Sequence, residues 1–209
     1  MEKYILDTNI FFNMSSDLNL GKKTEDIILN LTKIIKKAKK EKKGDFFMPP
    51  SIVDEFLSFF EDKNQFFLTD FLSLINVKNP TIDNVFFPAR VFYLLIDDVR
   101  KRTYRGLNIG EEEIKNAAKK FLSIKQELSK KEFELSVGEI IKKFRLRYRQ
   151  ATRFGFLDST ADLDLIVLTK EIDGFLVSTD EGVLLWGKIF GVKIMPVLVF
   201  RKRLEYLLD

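Results

Sequence analysis

Between residues 88 and 154 this chain has no segment that reads as a strand. On both sides of that block, short apolar runs alternate with amphipathic helices. The runs are "KYIL" (3–6), "DFFMP" (45–49), "GFLVS" (174–178) and "VKIMPV" (192–197). Helical spacing covers 25–42, where Ile27, Ile28, Leu31, Ile34, Ile35 and Ala38 fall on one stripe. Further helices are read from Pro50, over 66–75 and 162–172, from Asp180, and over 201–208. The block itself divides into three helical stretches, 91–102, 111–131 and 137–153. Strand-helix alternation interrupted by helices alone predicts an α/β fold: a central parallel sheet flanked by helices, plus an all-helical insertion. The expected boundaries are a core of 1–87 and 155–209, with the insertion at 88–154. A length of 209 residues suffices for one sizeable core carrying such an insertion.

Two absences restrict the chemistry. The chain has no cysteine and no histidine. Disulfides, thiol catalysis, Cys/His zinc sites and every imidazole base are therefore excluded. Carboxylates, hydroxyls, amines or a bound metal must carry any reaction, and oxygen-liganded Mg²⁺ or Mn²⁺ are the natural ions. No apolar run approaches bilayer-spanning length, and the first residues lack a signal-peptide pattern, so a cytoplasmic protein is expected. The net charge of +4 leans only slightly towards an anionic partner, which makes local clustering the better guide.

Four acids fall where this fold would expose them together. Asp7 ends the first apolar run and is flanked by a second one, Ile10–Phe12. A carboxylate there costs several kcal/mol if it stays dry and unpaired. Asp158 and Asp162 lie four apart and share a face if helical. Asp180 follows "FLVST" at another strand end. In open parallel sheets, ligands bind outside the carboxyl ends of the strands. Singly, each acid has a structural use: Asp158 and Asp180 as helix caps, Asp162 as a favourable charge at a helix start. Together at one sheet edge, they suggest carboxylates gathered around a cation. Glu55 sits on a helix able to reach the same edge, but Asp54 and Glu61 nearby look like surface charge. Asp164 points elsewhere than Asp162 on a regular helix.

"YILDTN" (4–9), "PPSIVDEF" (49–56), "DLDLIVLTKEIDGFLVSTDEG" (162–182) and "VKIMPV" resemble the successive signatures of a PIN nuclease domain. The helical block, with "FRLRYRQATRFGFLDSTADLD", makes the chain similar to the small protein-only RNase P family called HARP. That resemblance implies metal binding and catalysis by Asp7, Asp158, Asp162 and Asp180, with Mg²⁺ or Mn²⁺ as cofactor. It implies removal of the 5′ leader from precursor tRNA without an RNA subunit, and assembly into homo-oligomers through the helical insertion. Glu55 matches the mid-domain acid of PIN nucleases generally. Metal-assisted hydrolysis of this kind leaves 5′-phosphate and 3′-hydroxyl ends and needs no histidine. Thr8, Asn9, Ser178 and Thr179 would orient the acids. A PIN endoribonuclease of toxin type, and a non-catalytic RNA-binding assembly protein, are the alternatives.

Residues 139–153 hold Lys142, Lys143, Arg145, Arg147, Arg149 and Arg153 against one acid, Glu139. Lys142, Arg145, Arg149 and Arg153 share a helical stripe. Arginine's planar fork suits phosphate oxygens, so Arg145, Arg147, Arg149 and Arg153 are read as RNA-binding. Tyr148 and Phe154 could stack on bases, but read better as core or subunit contacts. The lysine-rich stretch at 33–43 reads as a solvated helix face.

Overall fold

The computed structural model describes residues 1–13, 18–124, 127–157 and 159–208. The chain forms two compact units, residues 1–88 with 157–209, and residues 89–156.

The first unit is built on strands β1 (Glu2–Leu6), β2 (Gly44–Met48), β3 (Asn76–Val77), β4 (Phe175–Val177) and β5 (Lys193–Ile194). They form one sheet in the order β3-β2-β1-β4-β5, and every neighbouring pair is parallel. Around it lie α1 (Asn9–Phe12), α2 (Thr24–Lys40), α3 (Pro50–Ser58) and α4 (Phe66–Leu74). After the second unit's helices, α5 (Arg90–Leu122) and α6 (Lys130–Arg153), come α7 (Thr160–Ile172), α8 (Glu181–Phe190) and α9 (Val197–Leu208). The expected α/β architecture is borne out.

Strand β1 is central, which explains its unbroken apolar character: Tyr4, Ile5 and Leu6 have no exposed surface. Tyr4 stacks on Phe46 of β2, with ring centroids 5.1 Å apart. On the other side, Leu6 pairs with Val177 of β4. Gly174 leads into β4 because nothing larger fits there. A Cβ at that position would lie 2.5 Å from Ile5 Cδ1 and 2.9 Å from the Lys3 carbonyl oxygen. The strand order reverses direction at β1: the chain builds outward through β2 and β3, then returns to add β4 and β5 on the opposite side. Such a switch point leaves a crevice between the C-terminal ends of the two diverging strands. Here those strands are β1 and β4.

The helices start and stop for local reasons. Pro50 opens α3, where a missing N–H costs nothing. In α2, Glu25 and Asp26 lie in the first turn and Lys37, Lys39 and Lys40 in the last, each complementing the helix dipole. The stripe read from sequence in α2 is buried as expected.

The second unit corrects the expected helix count. Two helices replace the three stretches: α5 runs unbroken for 33 residues through Gly106 and Gly110, and the break falls between α5 and α6. Gly106 is needed for close approach, since a Cβ there would sit 2.6 Å from the Tyr148 ring. The start of α6 is fixed by a capping box between Ser129 and Glu132. The helices run antiparallel. Arg147 reaches Glu112 at 2.6 Å and Glu113 at 2.5 Å, while Lys120 reaches Glu139 at 3.3 Å. At the far end, Arg102 donates to the carbonyls of Thr152 (3.1 Å), Phe154 (2.8 Å) and Gly155 (3.1 Å). That guanidinium satisfies carbonyls left open where α6 ends.

Candidate active site

Asp7 follows directly on β1, at the switch point, and is 2 % exposed. Its backbone N–H donates to the Val177 carbonyl at 3.0 Å, continuing the ladder towards β4. Four donors converge on its carboxylate. Ser178 Oγ and Asn9 Nδ2 (3.2 Å) donate to Oδ2, while the Thr8 hydroxyl (3.3 Å) and the Asn9 backbone N–H (3.4 Å) donate to Oδ1. The expected orienting roles of Thr8, Asn9 and Ser178 therefore have visible contacts. Burial pushes the Asp7 carboxyl above its ordinary range, Ser178 and Asn9 pull it back, and the charge of Asp180 raises it again.

Asp180 lies beyond β4, three residues after Val177, and is exposed. It caps α8 by accepting the Val183 N–H on Oδ1 at 2.8 Å. Its own N–H donates to Ser178 Oγ at 2.9 Å, so one serine links both acids. The cap and the electrostatic coupling to Asp7 are held by the same residue. The structural use weighed for Asp180 is thus real and does not exclude the other.

Glu55 joins them. It projects from α3, and desolvation by its surroundings raises its carboxyl, as do the charges of Asp7 and Asp180, against a hydrogen bond from Thr8. Sequence reading could not separate Glu55 from Asp54 beside it; only the packing of α3 places one of the two next to Thr8. Asp162 lies in the first turn of α7, half-buried, its N–H donating to Ser159 Oγ at 3.0 Å. Ser159 is thus the cap of α7, a role the sequence had offered to Asp158. Asp158 lies outside the described residues. Asp164 accepts a hydrogen bond from Ser51 at 2.7 Å and ties α7 to the start of α3.

Among the described residues, no three acidic side chains already stand close enough to enclose an ion. The donor chemistry nevertheless fits a hard divalent cation. Asp7, Glu55 and Asp180 offer oxygen alone, and the charges of the two aspartates raise the Glu55 carboxyl. The charges that act on these two carboxyls most strongly are other carboxylates: Asp180 on Asp7, and Asp7 and Asp180 on Glu55. A cation is what such a set lacks.

The proposed RNA-binding arginines all lie on α6. Arg145, Arg149 and Arg153 line one shallow groove with Tyr148 and Thr152. Arg147 faces α5 instead, engaged by Glu112 and Glu113. No helix among the described residues is long and apolar enough to cross a membrane.

A model of the PINc domain ribonuclease family matches residues 3–209. The chain is 33% identical over 210 residues to the RNA-free ribonuclease P of Pyrococcus furiosus, covering 100% of this chain and 96% of that protein. The protein of the same description from Nitrosococcus oceani is 33% identical over 208 residues, covering 99% and 96%. That from Thermodesulfovibrio yellowstonii is 32% identical over 195 residues, covering 93% and 89%.

Proposed function

This chain belongs to the PINc domain ribonucleases and, among them, to the RNA-free ribonuclease P family, and from that premise we propose that it removes the 5′ leader of precursor tRNA. The reaction is hydrolysis of one phosphodiester, leaving a 5′-phosphate on the tRNA and a 3′-hydroxyl on the leader. The observation that carries this reading is the buried Asp7 at the sheet's switch point, linked to Asp180 through Ser178 and acting with it on Glu55.

Asp7, Asp180 and Glu55 would hold Mg²⁺ or Mn²⁺, with Asp158 and Asp162 as the further acids that the family resemblance implies. When bound, the ion supplies activation of the attacking water and neutralisation of charge on the phosphodiester. The rest falls to the chain's own groups. Ser178 and Asn9 fix the orientation of the Asp7 carboxylate, and Thr8, which donates to Asp7, also lowers the Glu55 carboxyl. Arg145, Arg149 and Arg153 supply phosphate contacts from α6, whereas Arg147 serves mainly to hold α6 against α5. Shape and backbone contacts dominate recognition of a folded RNA.

The helical unit also supports assembly of several copies. Its exposed side chains include Ile96, Leu107, Ile114 and Leu122 on α5 and Leu135 and Leu146 on α6. Apolar surface of that kind on a two-helix unit marks an interaction site.

The test is a 5′-labelled precursor tRNA incubated with the protein and Mg²⁺, with EDTA and Asp7→Asn as controls. One metal-dependent cut at the leader junction is expected, slowed roughly 10³-fold in the variant. Scattered metal-dependent cuts would replace the tRNA assignment with a broader endoribonuclease. Tight RNA binding without any cleavage would overturn the enzyme.

A further inference from the structure

Two helices lie side by side next to the carboxylates, and their contacts repeat. The first pairing sets Thr8, which precedes α1 and donates to Asp7, beside Glu55 of α3, whose carboxyl it lowers. One turn further along, Phe12 ends α1 and Phe59 is the C-cap that follows α3, each four residues beyond its predecessor. These rings stack, with centroids 4.1 Å apart and planes 27° from parallel. The aromatic contact therefore follows the polar one at about 5.4 Å along the helices, the rise of a single turn.

The two rings differ in what they do for the fold. Phe56, in the same helix, is completely buried and meets Phe11 and Phe71 in the core. Phe59 is 57 % exposed, although it is a large apolar side chain at the rim of a polar site. Packing does not account for a ring left open in that place. A flat, sequence-tolerant ligand does, because every nucleobase presents a face to an aromatic ring.

We propose that Phe59, backed by Phe12, is a positioning residue on which one nucleobase beside the scissile phosphate stacks. The inference rests on the nuclease reading above and adds to it a specific seat for the strand. Stacking there would hold the phosphodiester in register with Asp7, Glu55 and Asp180, whatever the identity of the base.

The test uses the full-length protein with Phe59→Ala, Phe59→Leu and Phe59→Tyr. Single-turnover cleavage of precursor tRNA is measured on substrates intact or abasic at each nucleotide flanking the junction. Phe59→Ala is expected to slow cleavage roughly tenfold, with Tyr restoring the rate and Leu failing to. The abasic substitution at the stacked nucleotide slows the wild type by the same factor and does not slow Phe59→Ala further. Independent, multiplying losses, or full rescue by Leu, would overturn the stack. The abasic arm on wild-type protein keeps the test decisive should the alanine variant fold poorly.

A second readout separates this inference from the function it builds on. RNA carrying 2-aminopurine at the junction is bound in EDTA, where no cleavage occurs. Quenching in the wild type that is lost in Phe59→Ala and kept in Phe59→Tyr supports the stack, even if the wild type never cuts precursor tRNA. Unchanged quenching in Phe59→Ala overturns it, and a concurrent fall in particle mass would reassign the ring to contact with a second copy.

Discussion

Asp7 illustrates how one carboxylate is kept usable inside a protein. Full burial opposes its charge, and the answer is four donors from three residues, two of them immediate neighbours in the chain. Ser178 matters most, because it arrives from β4 and also receives the Asp180 N–H. Removing it strips a charge-assisted hydrogen bond from a buried acid. Ser178→Ala is therefore expected to lose about 1–3 kcal/mol of stability, seen as a lower midpoint in denaturant without a change in slope. Activity should fall with it, since Asp7 loses its fixed direction. An alanine variant as stable as the parent would show that Thr8 and Asn9 alone hold the carboxylate. Asp7 and Asp180 were legible in the sequence because strand-forming runs end on them. Glu55 was not, because one turn of α3 offers two adjacent acids and periodicity does not say which one meets a neighbouring helix.

At the scale of elements, the α5–α6 pair is held by charge as much as by apolar contact. Glu113 is buried, and the Arg147 hydrogen bond, then Lys143, hold its carboxyl below the usual carboxylate range. The sign follows directly. Its folded-state pKa lies below the unfolded value of about 4.3, so its contribution is complete above that pH and disappears as pH falls through the folded value. The stability difference between the parent and Glu113→Gln should be constant near neutrality and shrink to nothing in acid, measured by helical ellipticity against temperature at each pH. A difference that persists in acid would assign the effect to packing instead. These same helices show where sequence reading stopped short. The expected stretches 91–102 and 111–131 leave out Gly106 and Gly110, and a glycine costs about 1 kcal/mol relative to alanine in an isolated helix. Close approach of Tyr148 to Gly106 reverses that judgement, and it is visible only in three dimensions. By contrast, the Ser129–Glu132 capping box was present in the sequence, yet apolar spacing through Ile124 and Leu128 carried the reading past the end of α5. Strand β3, at two residues, leaves no periodic trace at all.

For the whole molecule, the exposed apolar side chains of the second unit have to be covered or tolerated. Ile114 is 71 % exposed and lines a groove with Ala117, Ile140, Ile141 and Phe144. If copies meet there, Ile114→Glu places a charge in an apolar contact. It should reduce the particle mass by light scattering while leaving helical content unchanged. An unaltered mass would put the contact on another face. The sheet order carries a different consequence, one of timing. Asp7 and its partner Ser178 are 171 positions apart, and β1 is complete on one side long before β4 exists. A growing chain can pair β1 with β2 early, yet it lacks both Ser178 and Asp180 until β4 has been made. The candidate site is thus assembled late: Asp7 stands at its strand end from the start, and its partners arrive only with the return strand.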